Sequence, residues 1–146
     1  MRLIAWFPLL GLLALGCAAR ADPCKAIADL TASRTPLRVP QEAVGPVVYV
    51  GDGDSLCVAA TPGRERAPAT WVEIRLADFH APELSEPGGR EAKAALVRIA
   101  MGRRVSCRGR HYSYDRLVAQ CSRLDDGGRI GALMRKAGVE EGGHGR

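Results

Sequence analysis

Residues 71–83 read WVEIRLADFHAPE, and this stretch decides the fold. Val72, Ile74 and Leu76 alternate with Glu73, Arg75 and Ala77, the period of two that marks a strand with one buried face. The run then meets Pro82, which has no backbone N–H and a fixed φ, so the ladder ends there. A strand that stops abruptly makes a rim. Asp78, His80 and Glu83 gather on it, with Arg75 just behind. Carboxylates beside a cationic fork are what phosphate chemistry requires, although this stretch alone also reads as an ordinary charged surface strand.

Upstream, Gly51-Asp52-Gly53-Asp54-Ser55 lies between the β-prone runs Val47 to Val50 and Leu56 to Val58. Asp-Gly between two such runs predicts a tight hairpin. The segment from Thr61 to Pro68 is rich in Gly, Pro and charge and reads as a hairpin loop. Downstream of Glu83, Ala92, Ala95, Leu96, Ile99 and Ala100 follow helical spacing and Gly102 supplies a C-cap. Strands are expected around Val105 to Cys107 and Leu117 to Cys121. A turn at Asp126-Gly127-Gly128 follows, and then a short helix from Ile130 to Ala137. Three strands, a helix, two strands and a helix predict an α+β fold: a five-stranded OB-type β-barrel with a helix between strands 3 and 4 and a short C-terminal helix.

At 146 residues there is room for one domain with one modest core. The formal charge of +5 falls by two once Arg2 and Arg20 are set aside, so the remainder is mildly basic. That basicity is concentrated in Arg98, Arg103, Arg104, Arg108 and Arg110, beside His111 and Tyr112. Such a cluster suits a polyanion, and equally suits a solvated helix end next to a solvated strand edge.

The N-terminal segment has Arg2, an apolar run from Leu3 to Leu15, and then Ala19-Arg20-Ala21. The run is short for a membrane span and the small-x-small ending suits signal peptidase, which predicts a cleaved signal peptide over residues 1–21. Lipoprotein processing at Cys17 is the rival. The mature chain then has no transmembrane segment and is periplasmic or secreted. Residues 22–45, with two prolines in Thr35 to Pro40, read as an N-terminal appendage whose Asp22-Pro23 opens a short helix candidate. The barrel domain is expected over residues 46–139, and the Gly-rich 140–146 as a disordered tail.

Export leaves Cys24, Cys57, Cys107 and Cys121, an even number in an oxidising compartment with three possible pairings. Cys107 and Cys121 end two β-like runs at a separation suited to adjacent antiparallel strands. That spacing favours Cys107–Cys121, with Cys24–Cys57 as the remainder.

GDGDS, then IRL followed by APE, then the later Tyr114-Asp115-Arg116, resemble in order and spacing the motifs of the staphylococcal nuclease (thermonuclease) family over about residues 46–139. The resemblance implies the same OB fold and a divalent metal, calcium. It matches Asp54, Glu83 and the backbone carbonyl of Ala81 to metal-holding positions, with Asp52 in support. It makes Glu83 the general base, Arg75 and Arg116 the phosphate-binding arginines, and Tyr114 a substrate-contacting aromatic. Arg108 and Arg110 add candidate substrate contacts.

Two positions depart from the pattern. His80 stands where the family has a metal-binding aspartate, and imidazole in place of a carboxylate favours manganese or another transition metal over calcium. Strand alternation aims Asp78 to the same side. The chain also ends soon after Val139, where the family continues through another strand and helix. The function implied is an exported, metal-dependent nuclease acting on DNA or RNA with little sequence preference. A nucleic-acid-binding or polyanion-binding OB module without catalysis, and an envelope structural protein, are the alternatives. No oligomeric state follows from the sequence.

Overall fold

A computed structural model of the chain describes residues 23–26 and 41–142. The predicted signal peptide and the stretch 27–40 lie outside the described residues, as do 143–146. Elements occur in the order β1 (Gln41–Val50), β2 (Ser55–Val58), β3 (Val72–Leu76), α1 (Gly89–Ala100), β4 (Arg104–Ser113), β5 (Arg116–Arg123) and α2 (Ile130–Lys136). Single 3-10 turns form at Pro23–Ala26 and Pro68–Thr70.

The five strands close into a barrel in the order β1-β2-β3-β5-β4. Closure depends on β1, which pairs with β4 through Gln41 to Pro46 and with β2 through Val47 to Val50, an irregularity between Val47 and Tyr49 easing the transfer. Every pairing is antiparallel except β3 with β5, where Ile74, Arg75 and Leu76 oppose Leu117, Val118 and Ala119. A closed five-stranded barrel with two helices is consistent with an OB-type α+β fold.

The barrel begins earlier than residue 46. Gln41 to Gly45 already form ladder with β4, because Ala43, Gly45 and Val47 supply an inward-facing row. Prolines at 40 and 46 disguise that row as linker. Pro46 stays in the strand because its carbonyl still accepts the N–H of Ala59 at 3.0 Å.

Leu56, Val58, Ile74, Leu76, Val105, Leu117 and Ala119 fill the barrel, and Ala92, Leu96, Ala100, Ile130 and Met134 seal it from the helices. Phe79 is the bulkiest fully buried side chain and turns inward just past the end of β3. Cys107 opposes Cys121 in the β4–β5 register, and the pairs Cys107–Cys121 and Cys24–Cys57 stand at disulfide distance with Cα separations of 4.1 and 6.2 Å. Such pairs belong to an oxidising, non-cytosolic environment. No helix among the described residues is long and apolar enough to cross a membrane.

Candidate active site

The turn between β1 and β2 and the end of β3 meet at one rim of the barrel. Gly51 N–H donates to the Ser55 carbonyl at 3.0 Å, closing the turn that carries Asp52 and Asp54. Gly53 makes the meeting possible: a Cβ there would stand 2.4 Å from the Cβ of Ala81 and 2.6 Å from that of Ala92. The turn therefore packs directly on the segment after β3 and on α1. Leu76 N–H donates to the Asp54 carbonyl at 2.8 Å, and Ala81 N–H to Asp54 Oδ2 at 2.7 Å. Two motifs 27 residues apart are thus stitched through one aspartate.

Arg75 completes the cluster. Its guanidinium is ion-paired with Asp54, and its Nη2 lies 3.1 Å from His80 Nδ1. Because a guanidinium only donates, His80 accepts there and carries its proton on the other ring nitrogen. Asp54 is buried, and burial pushes its carboxyl up to about 6. The Ala81 N–H and Arg75 oppose that rise, while the neighbouring charge of Asp52 adds to it. Burial also acts to raise Asp52, but hydrogen bonds from Asp54 and Ser55 outweigh it and hold that carboxyl below its usual range.

The other expected residues are placed less centrally. Glu83 is exposed, its backbone N–H held by Glu86 at 2.8 Å, and its carboxylate makes no hydrogen bond or ion pair with Asp54, Arg75 or His80. Arg116 opens β5 half-buried and enters no ion pair among the described residues. Tyr114 sits at the β4–β5 hairpin tip, 69% exposed, with φ at 59°. Arg108 and Arg110 are exposed on the outside of β4, where Arg108 faces Glu42 at 3.4 Å.

Asp78 is a correction. Alternation would bring it to the side of His80, but β3 ends at Leu76 and Phe79 then turns into the core. The Asp78 carboxylate packs instead against Gly131 of α2, with Arg129 at 3.6 Å.

A divalent ion at this rim would need several oxygen or nitrogen donors converging on one point. Among the described residues no three His, Cys, Asp or Glu side chains converge to hold one. Asp54 gives Oδ2 to Ala81 and Arg75, and His80 gives Nδ1 to the same arginine. A guanidinium already supplies the positive charge that the carboxylate needs. As arranged, Arg75 engages the donor atoms of both Asp54 and His80, so a divalent ion bound here would have to displace that guanidinium.

No family model matches the chain, and no curated protein matches it.

Sequence reasoning missed the residues that hold the His80 loop. Arg135, in the last turn of α2, donates to the Asp78 carbonyl, pairs with Glu141 at 2.6 Å and lies 5.6 Å over the Phe79 ring. Glu141 Oε2 accepts from His80 N–H at 3.4 Å, and Gly142 N–H donates to the His80 carbonyl at 3.0 Å. Glu141 and Gly142 belong to the stretch 140–146, expected to be a disordered tail, whereas Arg135 lies in the expected C-terminal helix. The signal available was Glu140-Glu141 five residues after Arg135-Lys136, an opposite-charge pattern that the glycines conceal.

Proposed function

We propose that the protein is an exported nuclease of the thermonuclease type, hydrolysing phosphodiesters of DNA or RNA with little sequence preference. The observation that carries this reading is the 2.7 Å hydrogen bond from Ala81 to Asp54, which joins the GDGDS turn to the RLADFHAPE rim around Arg75. Arg75 and Arg116 would clamp the phosphate oxygens and stabilise the charge that develops as phosphorus becomes five-coordinate. Glu83, free in solvent, would take a proton from the attacking water while the ester P–O bond breaks and its oxygen leaves to be protonated from solvent. The reading keeps the divalent ion of the resemblance as a requirement, calcium, or manganese or another transition metal on account of His80. Residues 1–21 would direct export to the periplasm or the medium.

A second reading, a polyanion-binding barrel without catalysis, is favoured by the closed Asp54–Arg75–His80 cluster. Incubating the full-chain protein with single-stranded DNA and a panel of divalent metals separates the two. Metal-dependent cleavage supports the nuclease. Salt-sensitive binding without cleavage under any metal supports the second reading and ends the first.

A further inference from the structure

The outer face of the β4–β5 ribbon carries cations to which the Asp54 cluster gives no role. Cys107, Gly109, Ala119 and Cys121 point into the barrel, so Arg108, Val118 and Gln120 face outward. The register shifts between Gly109 and His111, since Gly109 opposes Ala119 while His111 opposes Val118. One extra residue in β4 leaves both Arg110 and His111 exposed. Arg129, bridged to Ser122 at the edge of β5, brings another guanidinium. These side chains line a groove of about 550 Å³.

One groove residue, Val118, is a register neighbour of Arg75. Arg75 opposes Val118 across β3 and β5, and Val118 opposes His111 across β5 and β4. The groove's acidic neighbours are few: Glu42 lies 3.4 Å from Arg108 and Asp78 lies 3.6 Å from Arg129. Arg110 and His111 enter no ion pair among the described residues. At the hairpin tip Tyr114 presents an exposed ring.

We propose that this groove is a binding track for the sugar-phosphate backbone of single-stranded nucleic acid, distinct from the Asp54 cluster, with Tyr114 as a stacking platform for a base. Arginines along a groove match a chain of phosphates, and the exposed Tyr114 ring at the tip of the same hairpin is useful only to a strand whose base faces are free, which a duplex hides. The track takes its substrate class from the nuclease reading, and the test is made without divalent metal so that binding and cleavage stand or fall separately.

The full-chain protein is titrated into fluorescein-labelled oligothymidylate in EDTA at a series of salt concentrations, with anisotropy as the readout. Arg110→Ala is expected to weaken binding several-fold and to lower the slope of log K against log salt by about 0.7, one single-strand phosphate contact. Arg110→Lys keeps the charge and should keep the slope. Arg66→Ala, which removes an exposed cation in the β2–β3 connection, should leave both unchanged. Tyr114→Asn, a residue that tolerates positive φ, should weaken binding roughly tenfold. Equal slopes for wild type and Arg110→Ala, equal losses in the Arg66 and Arg110 variants, or tighter binding of a duplex of the same length would each overturn the proposal. Groove-dependent binding by a protein that cleaves under no metal supports the track while ending the nuclease reading.

Discussion

The guanidinium of Arg75 is ion-paired with the buried carboxylate of Asp54, and this one contact sets both the electrostatics of the rim and the terms on which anything else can bind there. Even with that cation beside it, Asp54 is pushed up to about 6, because burial and the charge of Asp52 outweigh the help it receives. Anything positive that approaches Asp54 must displace or join Arg75.

A pH dependence follows from that raised value. The folded protein holds a proton on Asp54 that the unfolded chain releases near 3.8, so this group favours folding at low pH. Its contribution falls by about 2 kcal/mol as pH rises from 4 to 6, because the folded state then binds more protons than the unfolded one. Asp54→Asn removes the titration while keeping an acceptor for Ala81 N–H. Denaturant unfolding in EDTA from pH 4 to 7 should show the variant gaining stability relative to wild type as pH rises. A constant difference across that range would contradict the account.

Catalysis, on the nuclease reading, depends on groups that carry little of the fold. Glu83 is exposed and Arg116 has no ion pair among the described residues, so Glu83→Gln and Arg116→Ala should leave thermal stability within about 0.5 kcal/mol of wild type. Each should lower turnover roughly a hundredfold or more. Arg75→Ala should do the same and also destabilise, since it strands Asp54. Unchanged hydrolysis by the Glu83 variant, with contaminating nuclease excluded, would remove it as the base.

The barrel was legible in the sequence because its signals are local. Alternation in Val72 to Leu76, helical spacing in Ala92 to Ala100 and the Asp-Gly turn each act within a few residues. Pairing the GDGDS turn with the His80 rim was legible only through a resemblance to whole motifs. What stayed hidden was long-range or masked by proline and glycine. Gln41 to Gly45 become a strand because β4 and the core accept them, against the local bias of Pro40 and Pro46. Asp78 leaves the rim because Phe79 is drawn into the core, a tertiary demand that alternation cannot express. Arg75 is shared by Asp54 and His80 only because two separate segments fold onto one edge.

His80 separates the metal preferences that the nuclease reading allows. Its imidazole faces Arg75 at 3.1 Å, a softer donor than the carboxylate that calcium prefers. His80→Asp should strengthen calcium binding in calorimetry and raise calcium-supported cleavage. Equal calcium affinity before and after the substitution would show that position 80 is not a ligand.

The cysteine pairs make a chemical prediction that needs no substrate. Cys107 and Cys121 face each other across β4 and β5, so peptide mapping of non-reduced protein should link them and should join Cys24 to Cys57. Replacing Cys107 and Cys121 by alanine should cost about 3 kcal/mol in the chain-entropy account of a loop this size. A peptide joining either residue to Cys24 or Cys57 would refute the pairing.

The C-terminal segment should act as the brace of the His80 loop. Gly142 N–H and Glu141 Oε2 engage the carbonyl and the N–H of His80, and Arg135 ties Glu141 to the Asp78 carbonyl. His80 is therefore gripped on both sides of its own backbone by residues about 60 positions later in the chain. Each exposed bond contributes only about 1 kcal/mol, so the barrel should survive their loss while the loop opens. A chain ending at Val139 should keep its cooperative unfolding but exchange the His80 amide at least tenfold faster in hydrogen exchange, with the amides of β4 unaffected. Arg135→Ala should show the same pattern more weakly, because Gly142 can still reach the His80 carbonyl. If His80 exchanges at the wild-type rate in the shortened chain, the brace contributes nothing and α1 and the GDGDS turn hold the loop by themselves.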